Sequence, residues 1–208
     1  MYVPAFEKLK TENKEELLKL IKATRIKMGR LRTKMEHPNY RFREVTIDPD
    51  DIVAYKCDRD FLNMAIAQYL ILGGEYLETK LSLRDSAFND RLEDIEKITF
   101  YSGGFFSTNE KTVIDLSGDE LKVMMGSFSE VYERITEISK EEFLYQLREL
   151  HIGEWRSYYS TKRFGIEVCD GVQWALKFEY KDGKKKTYGG DNAFPYNFDE
   201  LLDLLASV

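Results

Sequence analysis

The chain has 208 residues, with 31 Lys and Arg against 37 Asp and Glu for a formal net charge of −6, and 43% apolar residues. That apolar content excludes global disorder, and the length suits one large domain or two small ones. The charge is uneven: residues 1–43 hold twelve basic and five acidic side chains, net +7, which leaves 19 and 32, net −13, for the remainder.

The first predicted element carries that basic charge. Leu17, Ile21, Thr24, Met28, Leu31 and Met35 recur at alternating steps of four and three, which predicts a helix over 14–35 with one apolar face. Asn13 caps it, with Glu16 three residues later in capping-box position. Lys19, Lys22, Arg25, Lys27, Arg30, Arg32 and Lys34 occupy the flanks and the opposite side, and no acidic residue interrupts them. Pro38 and Asn39 end the helix. An extended segment over Arg41–Ile47 and an acidic turn at Asp48-Pro49-Asp50-Asp51 are expected next. Phe61–Leu72 predicts a second, largely buried helix broken by Gly73-Gly74, and Phe88–Ile95 a short third one.

From residue 97 the period changes to two. Strands are predicted at Ile98–Phe106, Lys111–Leu116, Glu120–Met125 and Val131–Ile138. Ser139-Lys140-Glu141-Glu142 is a capping box opening a helix through Leu150. Gln173–Tyr180 and Lys185–Gly189 form a hairpin about Lys181-Asp182-Gly183-Lys184, and Asn197 caps a terminal helix rich in leucine. Alternation puts Trp174, Leu176 and Phe178 on the core face of their strand. The predicted fold is α+β: a helical region over 1–95, then over 96–208 an antiparallel sheet (a meander plus a hairpin) with two flanking helices.

Asp170-Gly171-Val172-Gln173-Trp174 and, further on, Gly190-Asp191-Asn192-Ala193-Phe194-Pro195-Tyr196-Asn197-Phe198 form a pattern. It resembles a C-terminal module of uncharacterised proteins from gut-type Firmicutes and their mobile elements, written D-G-x-Q-W, then G-x-N-A-[YF]-P-x-N-[FW]. The resemblance spans Ile138–Leu205, points to a bacterial or phage setting and implies no activity.

Few residues carry chemistry. Cys57 and Cys169 make no disulfide framework, and with His37 and His151 as the only histidines no His/Cys metal site of ordinary spacing can be written. No cofactor is implied. Asp48, Asp50 and Asp51 do not meet EF-hand spacing, Tyr101-Ser102-Gly103-Gly104 is not a nucleophile elbow, and the phosphate-loop arrangement is missing. Met1–Lys8 has no signal-peptide character and the apolar run at Ala65–Leu72 is too short to span a bilayer, so a cytoplasmic protein is expected.

The basic helix has three readings: it docks on the chain's own acidic body, it neutralises nucleic-acid phosphates, or it pairs with a partner protein or a second copy. The docked arm needs no second molecule. The leading expectation is a non-enzymatic interaction protein, with Lys19, Lys22, Arg25, Lys27, Arg30, Arg32 and Lys34 as binding residues for a protein or nucleic acid and no membrane contact. The alternative is a hydrolase or nucleotide-binding enzyme whose site gathers His151, Asp170, Gly190, Asp191 and Asn192 from scattered loops, with His151 as general base.

Overall fold

Asn13 starts the first helix as expected: its Oδ1 accepts hydrogen bonds from the Glu15 and Glu16 amides, at 3.0 and 3.4 Å, ahead of α1 (Lys14–Met35). The computed structural model describes residues 9, 13–42, 50–104, 107–127, 131–168 and 170–208. Leu17, Ile21, Thr24, Met28 and Met35 are buried along one stripe, while Leu31 is half-buried. Pro38–Phe42 is a 3-10 turn, so Arg41 and Phe42 are not extended; the rest of the expected strand and Asp48-Pro49 lie outside the described residues.

Asp50 and Asp51 correct a second expectation. They begin a helix, α2 (Asp51–Ile71), whose first turn Asp50 caps by accepting from the Ile52 amide at 3.4 Å. An acidic residue at a helix N-terminus complements the dipole as readily as it marks a turn. The early turns of α2 carry little apolar period because a charged residue, Asp58, shares the buried stripe with Tyr55, Phe61 and Ala65. The helix stops at Gly73, whose φ of +73° is the left-handed conformation that closes a C-terminus. The ion pairs Lys27–Asp58 (2.7 Å) and Lys34–Asp51 (2.6 Å) link α1 to α2. Each helix spaces its two partners seven residues apart and the order reverses, so the helices run antiparallel.

The chain divides into two compact units, Met1–Glu78 and Thr79–Val208. The division expected at 95/96 lies inside the second unit. A helix over Lys80–Asn89 (α3), capped by Thr79, supplies Phe88 to the same core as Leu92 and Ile95. It lies earlier than the predicted Phe88–Ile95 helix, of which Phe88 and Asn89 end α3, Leu92–Asp94 is a 3-10 turn and Ile95 starts a strand.

The second unit is a seven-stranded mixed sheet with helices. Its strands are β1 (Ile95–Gly104), β2 (Ser107–Asp115), β3 (Lys122–Gly126), β4 (Val131–Arg134), β5 (Tyr158–Ser160), β6 (Val172–Tyr180) and β7 (Lys185–Asp191). Their order is β4-β3-β2-β1-β6-β7-β5. The meander and the hairpin are antiparallel throughout; β5 alone adds a parallel edge, Tyr158 opposite Gly189. Three residues are too few to show a period. α4 (Lys140–Glu149) and α5 (Phe198–Ser207) flank the sheet, and Phe143, Leu147, Leu201 and Leu205 join its core.

Trp174, Leu176 and Phe178 are buried on one face of β6. The Trp174 indole donates to the Ala193 carbonyl at 2.9 Å and packs among Trp155, Tyr159 and Phe198. Asn197 departs from expectation. It stands at the N-cap of α5 without making the side-chain cap bond, and is buried. Its Oδ1 accepts from the Trp155 indole at 2.9 Å and its amide donates to the Leu150 carbonyl at 2.6 Å. Both partners are buried, so the amide satisfies groups that water cannot reach.

Asn197→Ala should therefore lower stability by about 2–4 kcal/mol, since two buried polar groups lose their partners; urea unfolding measures this, and a change below about 0.5 kcal/mol would contradict it. At the β6–β7 turn, hydrogen bonds from Lys184, helped by the Arg91 guanidinium, hold Asp182 at a pKa of about 2 against an ordinary 3.8. A depressed carboxylate stabilises the fold above its unfolded pKa, and that contribution fades as pH falls toward the folded value. Asp182→Asn should flatten the decline of melting temperature between pH 4 and pH 2, a comparison made by acid titration of both proteins.

Candidate functional site

The seven basic residues of α1 do not act as one face. Arg32 pairs with Glu36 at 2.9 Å, Lys27 with Asp58 and Lys34 with Asp51, and Arg25 hydrogen-bonds the Tyr76 hydroxyl while its guanidinium lies 4.8 Å from that ring. Asp58 and Glu36 are buried, so their cations neutralise charges removed from water. Lys19, Lys22 and Arg30 are exposed, and none of them has an ion-pair partner among the described residues. With Ile26 they recur at three, four and four residues, a single stripe opposite the buried one. Ile26 is 57% exposed in its middle.

Among the described residues, Asp170 and Asp191 do not join His151 in a common cluster of ligating groups. Gly190 faces the core, where a Cβ would come within 2.4 Å of the Trp174 indole nitrogen. Asn192, at a φ of +50°, accepts from the Val172 amide at 2.8 Å and donates to Asp191 at 2.7 Å. Asp170 is exposed beside Gly171, which packs against Asn192; Cys169 lies outside the described residues. Asp191 ends β7, five residues from Lys186 and therefore about 16 Å along the strand. Lys186 and, nearer to Asp191, Tyr188 are the β7 residues that feel the charge of Asp85, the partner of His151.

His151 instead belongs to a cluster that sequence reasoning missed. It is the residue after the C-cap of α4, at a φ of +49° where glycine is usual. Its Nδ1 lies 2.6 Å from Asp85 Oδ2 on α3. Ile152–Glu154 then forms a 3-10 turn that brings Glu154 back, and the ligating atoms of Asp85, His151 and Glu154 all lie within 4.8 Å of one another. The Tyr196 hydroxyl reaches Glu154 Oε2 at 3.5 Å. Gly153 makes the approach possible: a Cβ there would stand 2.4 Å from the Asp85 Cα and 2.7 Å from the Arg84 carbonyl. Arg84 closes the turn by donating to the Trp155 carbonyl.

Among the described residues, the buried Tyr188 hydroxyl has no hydrogen-bond partner, and burial, with Tyr180 and Asp85 adding to it, pushes that phenol well above its ordinary pKa. Burial, and then Arg84 and Arg91, pull the Lys186 ammonium below its ordinary value. The sequence offered one weak signal, His151 directly after a capped helix; Asp85 and Glu154 are ordinary carboxylates among 37.

No family model, curated protein or solved structure matches the chain. No helix among the described residues is long and apolar enough to cross a membrane.

Gly153→Ala should separate the turn from α3 and lower the melting temperature, at a cost of about 1–3 kcal/mol for the overpacking. In the same protein the His151 imidazole resonances should shift; unchanged resonances and an unchanged melt would show that the turn does not rest on α3.

Proposed function

We propose that this is a non-enzymatic interaction protein that binds an acidic protein partner through the outward face of α1. The observation that carries this reading is the stripe Lys19–Lys22–Ile26–Arg30, in which three cations without an ion-pair partner among the described residues surround an exposed isoleucine. Lys27 and Arg32 are paired with buried carboxylates, Lys34 with Asp51 and Arg25 with the Tyr76 hydroxyl, which leaves three of the seven basic residues for recognition. Three neutralised phosphates would give a salt slope of only about −2.7 on duplex DNA, little for stable binding. An exposed apolar centre with a charged rim is instead the ordinary anatomy of a protein contact. This reading reassigns the docked arm, because Lys27 and Lys34 are already held by carboxylates of their neighbouring helix.

The test is capture from native extract by the parent, by Lys19→Gln/Lys22→Gln/Arg30→Gln, and by Lys27→Gln/Lys34→Gln. The first variant should melt like the parent and lose the partner, while the parent should release it as salt is raised. The second should keep the partner but lose about 1–3 kcal/mol of stability, since Asp58 is left buried without its cation. Retention of the partner by the first variant would sink the proposal, as would its displacement by duplex DNA but not by an acidic peptide.

A further inference from the structure

We propose that Asp85, His151 and Glu154 form a site for a divalent first-row transition ion of the zinc class, independently of the interaction reading. The donors are one imidazole and two carboxylates from two separate segments, α3 and the turn after α4. A mixed nitrogen and oxygen set selects zinc, cobalt or nickel over magnesium and calcium, which prefer all-oxygen shells. The three ligating atoms lie within 4.8 Å of one another, and Asp85 Oδ2 already lies 2.6 Å from His151 Nδ1. Ion–ligand bonds of about 2.0–2.2 Å in a tetrahedral shell would place neighbouring donors about 3.3–3.6 Å apart. Small side-chain rotations therefore seat the ion. With Nδ1 bound to it, the neutral imidazole carries its hydrogen on Nε2.

Two features of the backbone serve this arrangement. His151 occupies a left-handed position that favours glycine, and Gly153 admits the turn against the α3 backbone where no side chain fits. A third, independent observation is the Tyr188 hydroxyl, buried and without a hydrogen-bond partner among the described residues, within electrostatic reach of Asp85. Three protein ligands leave open positions for water, and a hydrated ion on Asp85 can supply the polar neighbour that this hydroxyl lacks in the protein alone.

The experiment is titration of the chelator-stripped full chain with Co²⁺, followed by visible absorption, and with Zn²⁺, followed by calorimetry and melting temperature. The parent should bind one ion, show ligand-field bands without the near-ultraviolet thiolate band that Cys57 would add, and melt higher with metal. Glu154→Gln, at the rim of the cluster, and His151→Asn, chosen because asparagine tolerates the left-handed conformation, should each weaken binding about tenfold or more. Circular dichroism of both variants without metal establishes that they fold, and His37→Gln should bind like the parent. Failure of the parent to bind one ion overturns the site. So does parent-like affinity in both folded variants, or a thiolate band in the parent.

Discussion

The second unit turns on the burial of Trp155. Its side chain has no exposed surface, and an indole N–H removed from water must be given a partner. Asn197 supplies it and hands its own amide to the Leu150 carbonyl, so the end of α4, the turn after it and the start of α5 meet at one buried amide. The Trp155 carbonyl is held by Arg84 from α3. Between these two anchors residues 151–154 have little freedom, and Gly153 lies against the α3 backbone. The closeness of His151 and Glu154 to Asp85 is thus a consequence of core packing, with the buried indole one residue beyond Glu154. Geometry fixed in this way is what a preorganised site requires.

The first unit is governed by a different constraint. Buried carboxylates at Glu36 and Asp58 would be costly alone, and the cations of α1 offset that cost. Part of the charge asymmetry that separates residues 1–43 from the remainder is therefore local chemistry between neighbouring helices. Removing the neutralised cations from consideration sharpens the surface: the remaining ones fall on one stripe because the heptad-spaced pairs with α2 occupy another side of the helix.

The sequence was most informative where side-chain period and capping agree. α1, α4 and the hairpin about Asp182-Gly183 were legible because apolar spacing, an Asn or Ser cap and a turn glycine with a φ of +76° all point the same way. α2 was half legible, since Asp58 interrupts the apolar stripe with a charge that only its ion pair explains. β5 was invisible, being fixed by its neighbour Gly189 rather than by its own three residues. The cluster around His151 was illegible for a related reason: Asp85 and His151 are 66 residues apart, and nothing in the spacing of the chain records that α3 and the α4 turn share a surface.

The residues that give the C-terminal segment its recognisable pattern are largely consumed by packing. Trp174 fills the core, Gly190 leaves room for its indole, Asn192 clips the end of β7 to the start of β6, and Asn197 satisfies Trp155. A side chain whose polar atoms are already paired inside the core has no capacity left for a ligand. The three groups that converge, Asp85, His151 and Glu154, are not among these pattern residues. Fold and the converging groups are thus carried by different residues of this unit, so that the packing of the segment by itself assigns no activity.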